Sequence, residues 1–200
     1  MNAALFERIE TLEAKKHQLQ LDAESIRLLE RYHLDFVRAG ARLKDQDRQT
    51  FAQNAEQLAS CFTRFSQNVL ADESSFCLTL STEEELKGLP EFVRQAAQKL
   101  AHDRGLTQAN AHAFTLSRSS ITPFMTFSER RDLRQKMWQA WCQRGEHEGP
   151  HHNEPVMKEI LKLRLAQAQL LGYKDFSEYA LADTMAGSAQ QARELLTRVW

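Results

Sequence analysis

The chain has 200 residues, and its 26 Lys and Arg against 27 Asp and Glu give a formal net charge of -1 at pH 7. This balance argues against a dedicated nucleic-acid surface, which requires a basic excess. No apolar run is long enough to cross a bilayer, and residues 1–16 lack the apolar core of a secretion signal. We therefore expect a cytoplasmic globular protein, or a piece of a larger one, without nucleic-acid or membrane partners.

Apolar residues at helical spacing predict three helices in residues 1–72. The first carries a short apolar stripe, formed by Leu5, Phe6, Ile9 and Leu12. The second begins at Asp22, whose carboxylate accepts the free N–H groups of the first turn, and ends at Gly40. His33 falls on its apolar face, where a histidine is more often a satisfied core or boundary residue than a ligand.

The third predicted helix is the longest of these. Its apolar residues alternate steps of four and three: Phe51, Ala55, Leu58, Phe62, Phe65 and Val69. Such a seam is typical of a helix that packs along another for several turns. Because only about residues 41–44 separate the second and third helices, we expect an antiparallel helical hairpin, with a coiled-coil dimer as the alternative.

Residues 73–127 predict a small α/β segment. Phe76 to Leu80 alternates apolar and polar residues, as a strand with one buried face does. Ser81 and Glu84 have the spacing of a capping box that starts a short helical turn. A helix over residues 92–100 ends near Gly105, and a second strand follows at residues 114–116, with Ile121 as a possible extension. The orientation of the two strands is left open, because a helix-containing connection permits either.

Residues 128–200 are again predicted to form helices. After Pro123 and an aromatic turn at residues 124–127, Ser128 is expected to open an amphipathic helix that runs to Arg144. Further helices are expected to start at Glu154-Pro155, Asp175 and Ser188, each from a capping or first-turn signal. The last one still presents apolar residues when the chain stops: Leu195, Leu196, Val199 and Trp200. This pattern predicts a truncated domain.

The predicted fold class is therefore mainly α: a long helical hairpin plus further helices with a small two-stranded β element. The whole of residues 1–200 is expected to form one partial helical region, with a hairpin at 1–72, a small α/β segment at 73–127 and truncated helices at 128–200. Three widely spaced cysteines, Cys61, Cys77 and Cys142, predict reduced and mostly buried thiols rather than a disulfide framework or a zinc cluster.

One short stretch has the letters of a zinc-protease motif: HEGPH at His147, Glu148 and His151. That motif works on a helix, which places both histidines on one face with the glutamate as general base. Pro150 inside such a helix costs about 3 kcal/mol or more, and Gly149 lowers helicity further. Residues 145–153 are therefore predicted to form a polar loop, the motif is judged a decoy, and no metal or catalytic residue is assigned to this chain.

Three other groups of residues are candidates for a functional site. Ser117, Ser119 and Ser120 lack the Gly-x-Ser-x-Gly elbow of a serine nucleophile. Cys61 and Cys142 lack the adjacent histidine that activates a thiolate. The charged residues of 129–134 are expected to form a mixed-sign, self-paired surface, with an acidic partner as the alternative.

Four segments, in order along most of the chain, carry a family resemblance. They are LDAESIRLLERYHLDFVRAGARL, LPEFVRQAA, FTLSRSSITPFMTFSERRDLRQKMWQAWCQRGE and EPVMKEILKLRLAQAQLLGYKDFSEYALADTMA. Together they resemble the thimet oligopeptidase family of zinc metallopeptidases, in particular its peptidyl-dipeptidase and oligopeptidase A branch. The specificity of the resemblance comes from its length and order, because none of the four segments is a catalytic motif.

The resemblance implies a mostly helical N-terminal-half portion of a zincin-like oligopeptidase, whose peptide channel lies between two halves. It further implies that zinc, held by a helical HExxH and a downstream glutamate, belongs to a missing C-terminal catalytic half. His147, Glu148 and His151 do not match that motif, so no metal role transfers to them. We expect a non-catalytic scaffold or channel-wall portion of an enzyme that hydrolyses short peptides, inactive by itself. The alternative is a helical protein-interaction module without enzymatic activity.

Overall fold

The computed structural model describes residues 2–200, which fold into nine α-helices, one 3₁₀ turn (Lys16–Gln18) and two short strands. The helices are α1 (Ala3–Lys15), α2 (Ala23–Arg38), α3 (Asp45–Ser75), α4 (Glu91–Asp103), α5 (Arg118–Phe127), α6 (Arg131–Cys142), α7 (Glu154–Leu170), α8 (Phe176–Leu181) and α9 (Ala189–Val199). The strands are β1 (Leu78–Leu80) and β2 (His112–Phe114). The predicted fold class, mainly α with a small two-stranded sheet, is confirmed.

The described chain divides into two compact units. Residues 61–158 form the central unit, and residues 2–60 together with 159–200 form the terminal unit. The long helices α3 and α7 each contribute residues to both units. The three-part organisation expected from sequence stays a prediction.

A buried apolar core fills the central unit. β1 and β2 pair antiparallel, with Leu78 opposite Phe114 and Leu80 opposite His112, and α4 packs against β2. The core combines both strands with the faces of α4, α5 and α6; its largest fully buried side chains are Phe114, Phe124, Leu80, Leu86, Leu116 and Met137. The predicted one-sided strand at residues 76–80 is confirmed over Leu78–Leu80, where the two leucines are buried and Thr79 is not.

The second strand and the residues after it differ from expectation. β2 spans His112–Phe114, two residues earlier than predicted, and all three residues are buried. A fully buried strand shows no apolar–polar alternation, so its start is not visible in the sequence. Ile121 belongs to α5 rather than to a strand, and Pro123 lies inside that helix. The helix tolerates Pro123 because the carbonyl left without its usual donor belongs to Ser119, which is exposed to water.

Two predicted helix starts are also wrong by a few residues. α6 begins at Arg131, because Ser128 instead ends α5: its N–H donates to the Phe124 carbonyl at 3.0 Å. The Ser128 hydroxyl accepts from the Arg130 N–H at 3.3 Å, which makes a turn and not a cap. The capping box expected at Ser81 lies one residue later and caps a turn: the Thr82 hydroxyl accepts from the Glu85 N–H at 3.3 Å.

The remaining caps follow the sequence signals. Asp22 accepts from the Ser25 N–H at 2.7 Å, Asp175 from Glu178 at 3.0 Å and Ser188 from Gln191 at 3.2 Å. α7 starts at Glu154 as predicted. Gly40 and Gly172 both adopt φ +85°, the left-handed conformation expected just beyond a helix.

Packing in the terminal unit combines aromatic contacts with several ion pairs. α1 packs along α2, where the Phe6 ring stacks on His33 and Phe36 at centroid distances of 6.1 and 5.8 Å. Lys16 bridges Glu13 and Glu30 at 2.7 and 2.8 Å. These hydrogen bonds raise the pKa of Lys16 and lower that of Glu30. The expected antiparallel pairing of α2 with α3 stays a prediction.

Asp183 lies at the centre of a second charged cluster in the terminal unit. Its carboxylate is 10% exposed and is surrounded by three arginines of α2: Arg31 in direct contact, Arg27 at 3.6 Å and Arg38 at 4.0 Å. Arg38 also donates to the Tyr179 carbonyl at 2.6 Å. This cluster ties the segment that connects α8 and α9 to α2.

None of the helices formed by residues 2–200 combines the length and the apolar composition that crossing a bilayer requires.

Candidate functional site

The HEGPH stretch lies in a loop, as the sequence predicts. Residues 143–153 form turns and bends between α6 and α7, and Gly149 adopts φ +131°. His147, Glu148 and His151 are all exposed. The helix that would place the two histidines on one face is not formed. Within residues 2–200, no group of three or more His, Cys, Asp or Glu side chains is arranged to hold a metal ion.

Both ends of this loop are fastened within the central unit. The Gly145 N–H donates to the Asp72 carboxylate at 2.6 Å, and Arg144 pairs with Glu73. At the other end Asn153 is 2% exposed; its amide donates to the Phe65 carbonyl at 3.1 Å, and its side-chain oxygen accepts from Asn68 at 2.9 Å. The Asn153 N–H donates to the Gly145 carbonyl at 2.7 Å and closes the loop. These bonds hold the base of the loop and leave its histidine-rich tip in water.

The charged groups at the start of α7 are paired. Glu154 accepts a hydrogen bond from Lys158 at 2.6 Å, and His152 lies 3.6 Å from its other oxygen. The Lys158 hydrogen bond, with a smaller contribution from His152, lowers the pKa of Glu154 below its ordinary value. Glu154 is therefore engaged in ion pairs rather than held protonated as a general acid.

The remaining sequence candidates are structural. His33 is half-buried against Phe6, and its Nε2 lies 3.2 Å from the Arg42 guanidinium, which confirms a satisfied boundary position. Cys61 is buried, whereas Cys142 is exposed and Cys77 half-buried; all three are free thiols. The expectation of mostly buried thiols is wrong, because Cys142 ends α6 on the solvent side.

The serines at the start of α5 form a chain of hydroxyl contacts. Ser117 lies 3.1 Å from the Thr115 hydroxyl and 3.3 Å from that of Ser119, and Ser120 accepts from the Thr115 N–H at 2.9 Å. These bonds connect the end of β2 to the first turn of α5. None of the three serines contacts a histidine or a carboxylate of the described chain, so the arrangement supplies no base for a nucleophile.

The charged residues of 129–134 are self-paired only in part: the sequence interpretation is confirmed for Arg130 and Asp132 but not for Arg131. Arg130 donates two hydrogen bonds to the Asp132 carboxylate, at 3.0 and 2.8 Å, and Lys87 lies 3.7 Å from Glu129. The bonds from Arg130 lower the pKa of Asp132 below its ordinary value. Arg134 donates to the Ser128 carbonyl.

A groove between α5 and α6 is a feature that sequence reasoning missed. At one end a cleft of about 510 Å³ is lined by Ile121, Met125, Trp138 and Trp141, with Arg118 at its edge. A second cleft of about 370 Å³ shares Met125 and Trp138 and continues along α6. We call this surface the α5–α6 groove. Its two walls come from residues 118–126 and 131–141, and only the packing of α5 on α6 brings them together.

Comparison with known proteins first defines the class of protein. Residues 124–199, from the middle of α5 through α9, match the family model described as Peptidase family M3. Oligopeptidase A of Haemophilus influenzae is 37% identical over 166 residues, which is 81% of this chain and 24% of that protein. Dipeptidyl carboxypeptidase of Escherichia coli is 28% identical over 199 residues, 100% of this chain and 29% of that protein.

A plant protein extends the same relationship. Probable cytosolic oligopeptidase A of Arabidopsis thaliana is 31% identical over 177 residues, 86% of this chain and 25% of that protein. The chain belongs to peptidase family M3, the thimet oligopeptidase family. It spans about a quarter of the length of the curated relatives it matches, 24% of the Haemophilus oligopeptidase A.

Proposed function

We propose that this chain is a non-catalytic, channel-wall portion of a zinc-dependent oligopeptidase, a metalloendopeptidase or peptidyl-dipeptidase that hydrolyses short peptides. The observation that carries the proposal is the alignment of almost the whole chain with only about a quarter of oligopeptidases and dipeptidyl carboxypeptidases, 28% identical over 199 residues in one case. The fold agrees with a wall, because its helices are supported by a buried core.

The residues present do not fit the zinc ion that this family uses. The only histidine pair with the motif spacing, His147 and His151, lies in an exposed loop that contains Pro150 and Gly149. A metalloprotease requires the two imidazoles on one helical face. In this proposal zinc is bound outside these 200 residues, by the catalytic half of the parent enzyme, and the present chain takes part in no step at the metal.

Oligopeptides are the proposed substrates of the parent, and the C-terminal catalytic half is the proposed partner of this chain. The relatives are named both as oligopeptidases and as dipeptidyl carboxypeptidases. The proposed role of the chain is therefore common to both: it contacts peptides along the channel and excludes large folded proteins. We propose a cytoplasmic location, as the name of the cytosolic Arabidopsis relative suggests.

The test uses the longer protein that contains this segment. We expect it to hydrolyse an internally quenched peptide of about ten residues and to lose this activity when zinc is chelated. Replacing His147 and His151 together with alanine should leave kcat/KM within about twofold, since neither contacts the chemistry in this proposal. Loss of activity and of bound zinc in the double variant would contradict the assignment.

A second candidate, a helical protein-interaction module, is favoured by the exposed apolar face of α9. Leu196 is 68% exposed, Val199 80% and Trp200 fully exposed. An exposed apolar face of this kind is typical of an interaction surface. Self-association of the purified chain in sedimentation experiments, abolished by Leu196→Ser with Val199→Ser, would support this candidate. A monomer at high concentration would argue against it.

A further inference from the structure

The α5–α6 groove has an apolar centre that is open to solvent. Met125 and Trp138 line both of its clefts, and Trp138, one of the two tryptophans of α6, is 55% exposed. Exposed tryptophan inside a concave apolar surface is typical of the residues that dominate binding energies. The groove therefore offers an unused apolar contact to another molecule.

The rim of the groove carries positive charge and no negative charge. Arg118 lies at one end, and Arg131 and Arg134 lie at the other. None of the described residues that line either cleft is acidic. Arg134 is bonded to the Ser128 carbonyl, whereas Arg118 and Arg131 make no ion pair with a described carboxylate. Asp132, the nearest acidic residue along α6, is held by Arg130. Two guanidinium groups are thus available to a ligand.

One wall of the groove is fixed in place before any ligand binds. The Arg144 guanidinium lies 3.5 Å from the centre of the Trp141 ring and donates to the Trp141 carbonyl at 2.9 Å. Arg144 is itself paired with Glu73 of α3. A preformed wall lowers the conformational entropy that binding costs.

The dimensions of the groove select the ligand. From Arg131 to Trp141 the helix rises by about 15 Å, at about 1.5 Å per residue. An extended peptide covers this length with four or five residues, at about 3.3 Å each. A ligand that pairs with the arginines at both ends of the groove and contacts its apolar centre carries two carboxylates about 15 Å apart, with an apolar side chain between them.

We propose that the α5–α6 groove binds an acidic peptide segment in extended conformation, with an apolar side chain against Met125 and Trp138 and carboxylates at Arg118 and Arg131. Binding is measured on this chain alone. The inference rests on the proposed function only in assigning this segment to the peptide substrates of the parent enzyme. It then predicts that the parent prefers peptides with acidic residues near an apolar one.

The experiment titrates this chain with labelled pentapeptides, acetylated and amidated, and follows fluorescence anisotropy. One has glutamate at both ends and phenylalanine in the centre, the second has lysine at both ends, and the third replaces the phenylalanine with alanine. We expect the glutamate–phenylalanine peptide to bind at least about fivefold more tightly than either control. Its affinity should fall as salt increases, because the ion pairs are exposed.

Charge reversal in the protein separates the groove from other surfaces. Arg118→Glu with Arg131→Glu should weaken binding of the acidic peptide by about tenfold or more and improve binding of the lysine peptide. Lys136→Glu reverses a single charge on α6, outside the groove, and should leave the affinity within about twofold. Trp138→Ala, at an exposed position that the fold does not require, should weaken all phenylalanine peptides by about tenfold.

Three results would overturn the proposal. The first is no saturable binding of the acidic peptide at millimolar concentration; the second is equal weakening by Lys136→Glu and by the double arginine variant. The third is a dimer of the chain that Trp138→Ala converts to monomer, which would make a second copy the occupant. The proposed function is tested separately, by peptide hydrolysis in the parent enzyme. The parent can lack this hydrolysis although the α5–α6 groove binds the acidic peptide. It can also hydrolyse peptides although the groove binds none.

Discussion

The central unit and the terminal unit are stabilised in different ways. All six of the largest fully buried side chains, including Phe114, Phe124 and Met137, lie in residues 61–158. The terminal unit buries Phe6 and Leu58 less completely and leaves many large apolar side chains exposed, among them Leu196 and Trp200. Its α8–α9 segment is instead attached to α2 by charged groups around Asp183.

This difference indicates which unit can fold by burial alone. Apolar burial involves no charges that salt can screen, and it loses most stability when a large core side chain is removed. Exposed and half-exposed ion pairs contribute little each and are screened by salt. We therefore expect the central unit to resist salt and the α8–α9 segment to loosen first.

The largest expected effect is the loss of a core ring in the central unit. Phe124→Ala should lower the free energy of unfolding by about 3–5 kcal/mol, because the fully buried ring packs against Phe114 at a centroid distance of 4.7 Å. Urea unfolding monitored by circular dichroism measures this. Phe127→Ala, three residues later on the same helix and 41% exposed, is the matched control and should cost less than half as much. Equal costs would mean that the central unit does not depend on its core.

A smaller effect is expected at Gly88, where the backbone of the central unit comes close to itself. Gly88 has φ +83°, and a Cβ there would lie 2.8 Å from the Glu129 N atom and also meet the Phe127 carbonyl. Gly88→Ala should cost about 2–3 kcal/mol, from strain and the backbone clash together. Gly172→Ala has the same strain, φ +85°, but no atom within 4 Å, so about 1 kcal/mol is expected. Thermal unfolding of both variants tests whether the backbone at Gly88 is more closely packed than the backbone at Gly172.

In the terminal unit, Asp183→Asn removes the charge that three arginines share. We expect a loss of about 2 kcal/mol, because the carboxylate is 10% exposed and is the one partner that all three guanidinium groups share. Hydrogen exchange should quicken in residues 173–199 and stay unchanged in the central unit. Asp35→Asn provides the control: this carboxylate also pairs with Arg31, at 3.3 Å, but is half exposed and should matter little. Faster hydrogen exchange throughout the chain would contradict the view that Asp183 only attaches the α8–α9 segment to α2.

The smallest expected effect is a pH dependence at Glu85 in the central unit. Hydrogen bonds from the Ser81 N–H, then from Thr82, lower the pKa of Glu85 below its ordinary 4.5. A lowered folded-state pKa contributes stability that is present above the unfolded pKa and is lost as pH falls through the folded one. Wild type should therefore lose more stability than Glu85→Gln between pH 5 and pH 3. The difference in melting temperature at these two pH values, with Glu84→Gln as control, tests this; parallel curves would contradict it.

Sequence reasoning located the features that depend on neighbours along the chain. Asp22, Asp175 and Ser188 were identified as caps because a cap bonds to an N–H three residues later. The loop around HEGPH was identified because Pro150 and Gly149 are incompatible with a helix.

The features that were missed depend on tertiary context. β2 is buried on both faces, so its three residues carry no alternation. The sequence predicts an aromatic turn after Pro123, yet Pro123 lies inside α5, and without α5 the α5–α6 groove cannot be anticipated. Arg118 and Trp141 line one cleft only because α5 packs on α6.

The central claim is that this chain supports peptide hydrolysis without performing it. The most direct test incubates the purified 200-residue chain with zinc and a quenched fluorogenic peptide, alongside Glu148→Gln. We expect no turnover above the buffer rate for either protein, because His147, Glu148 and His151 lie in an exposed loop rather than on one helical face. Zinc-dependent turnover by the chain that Glu148→Gln abolishes would contradict it.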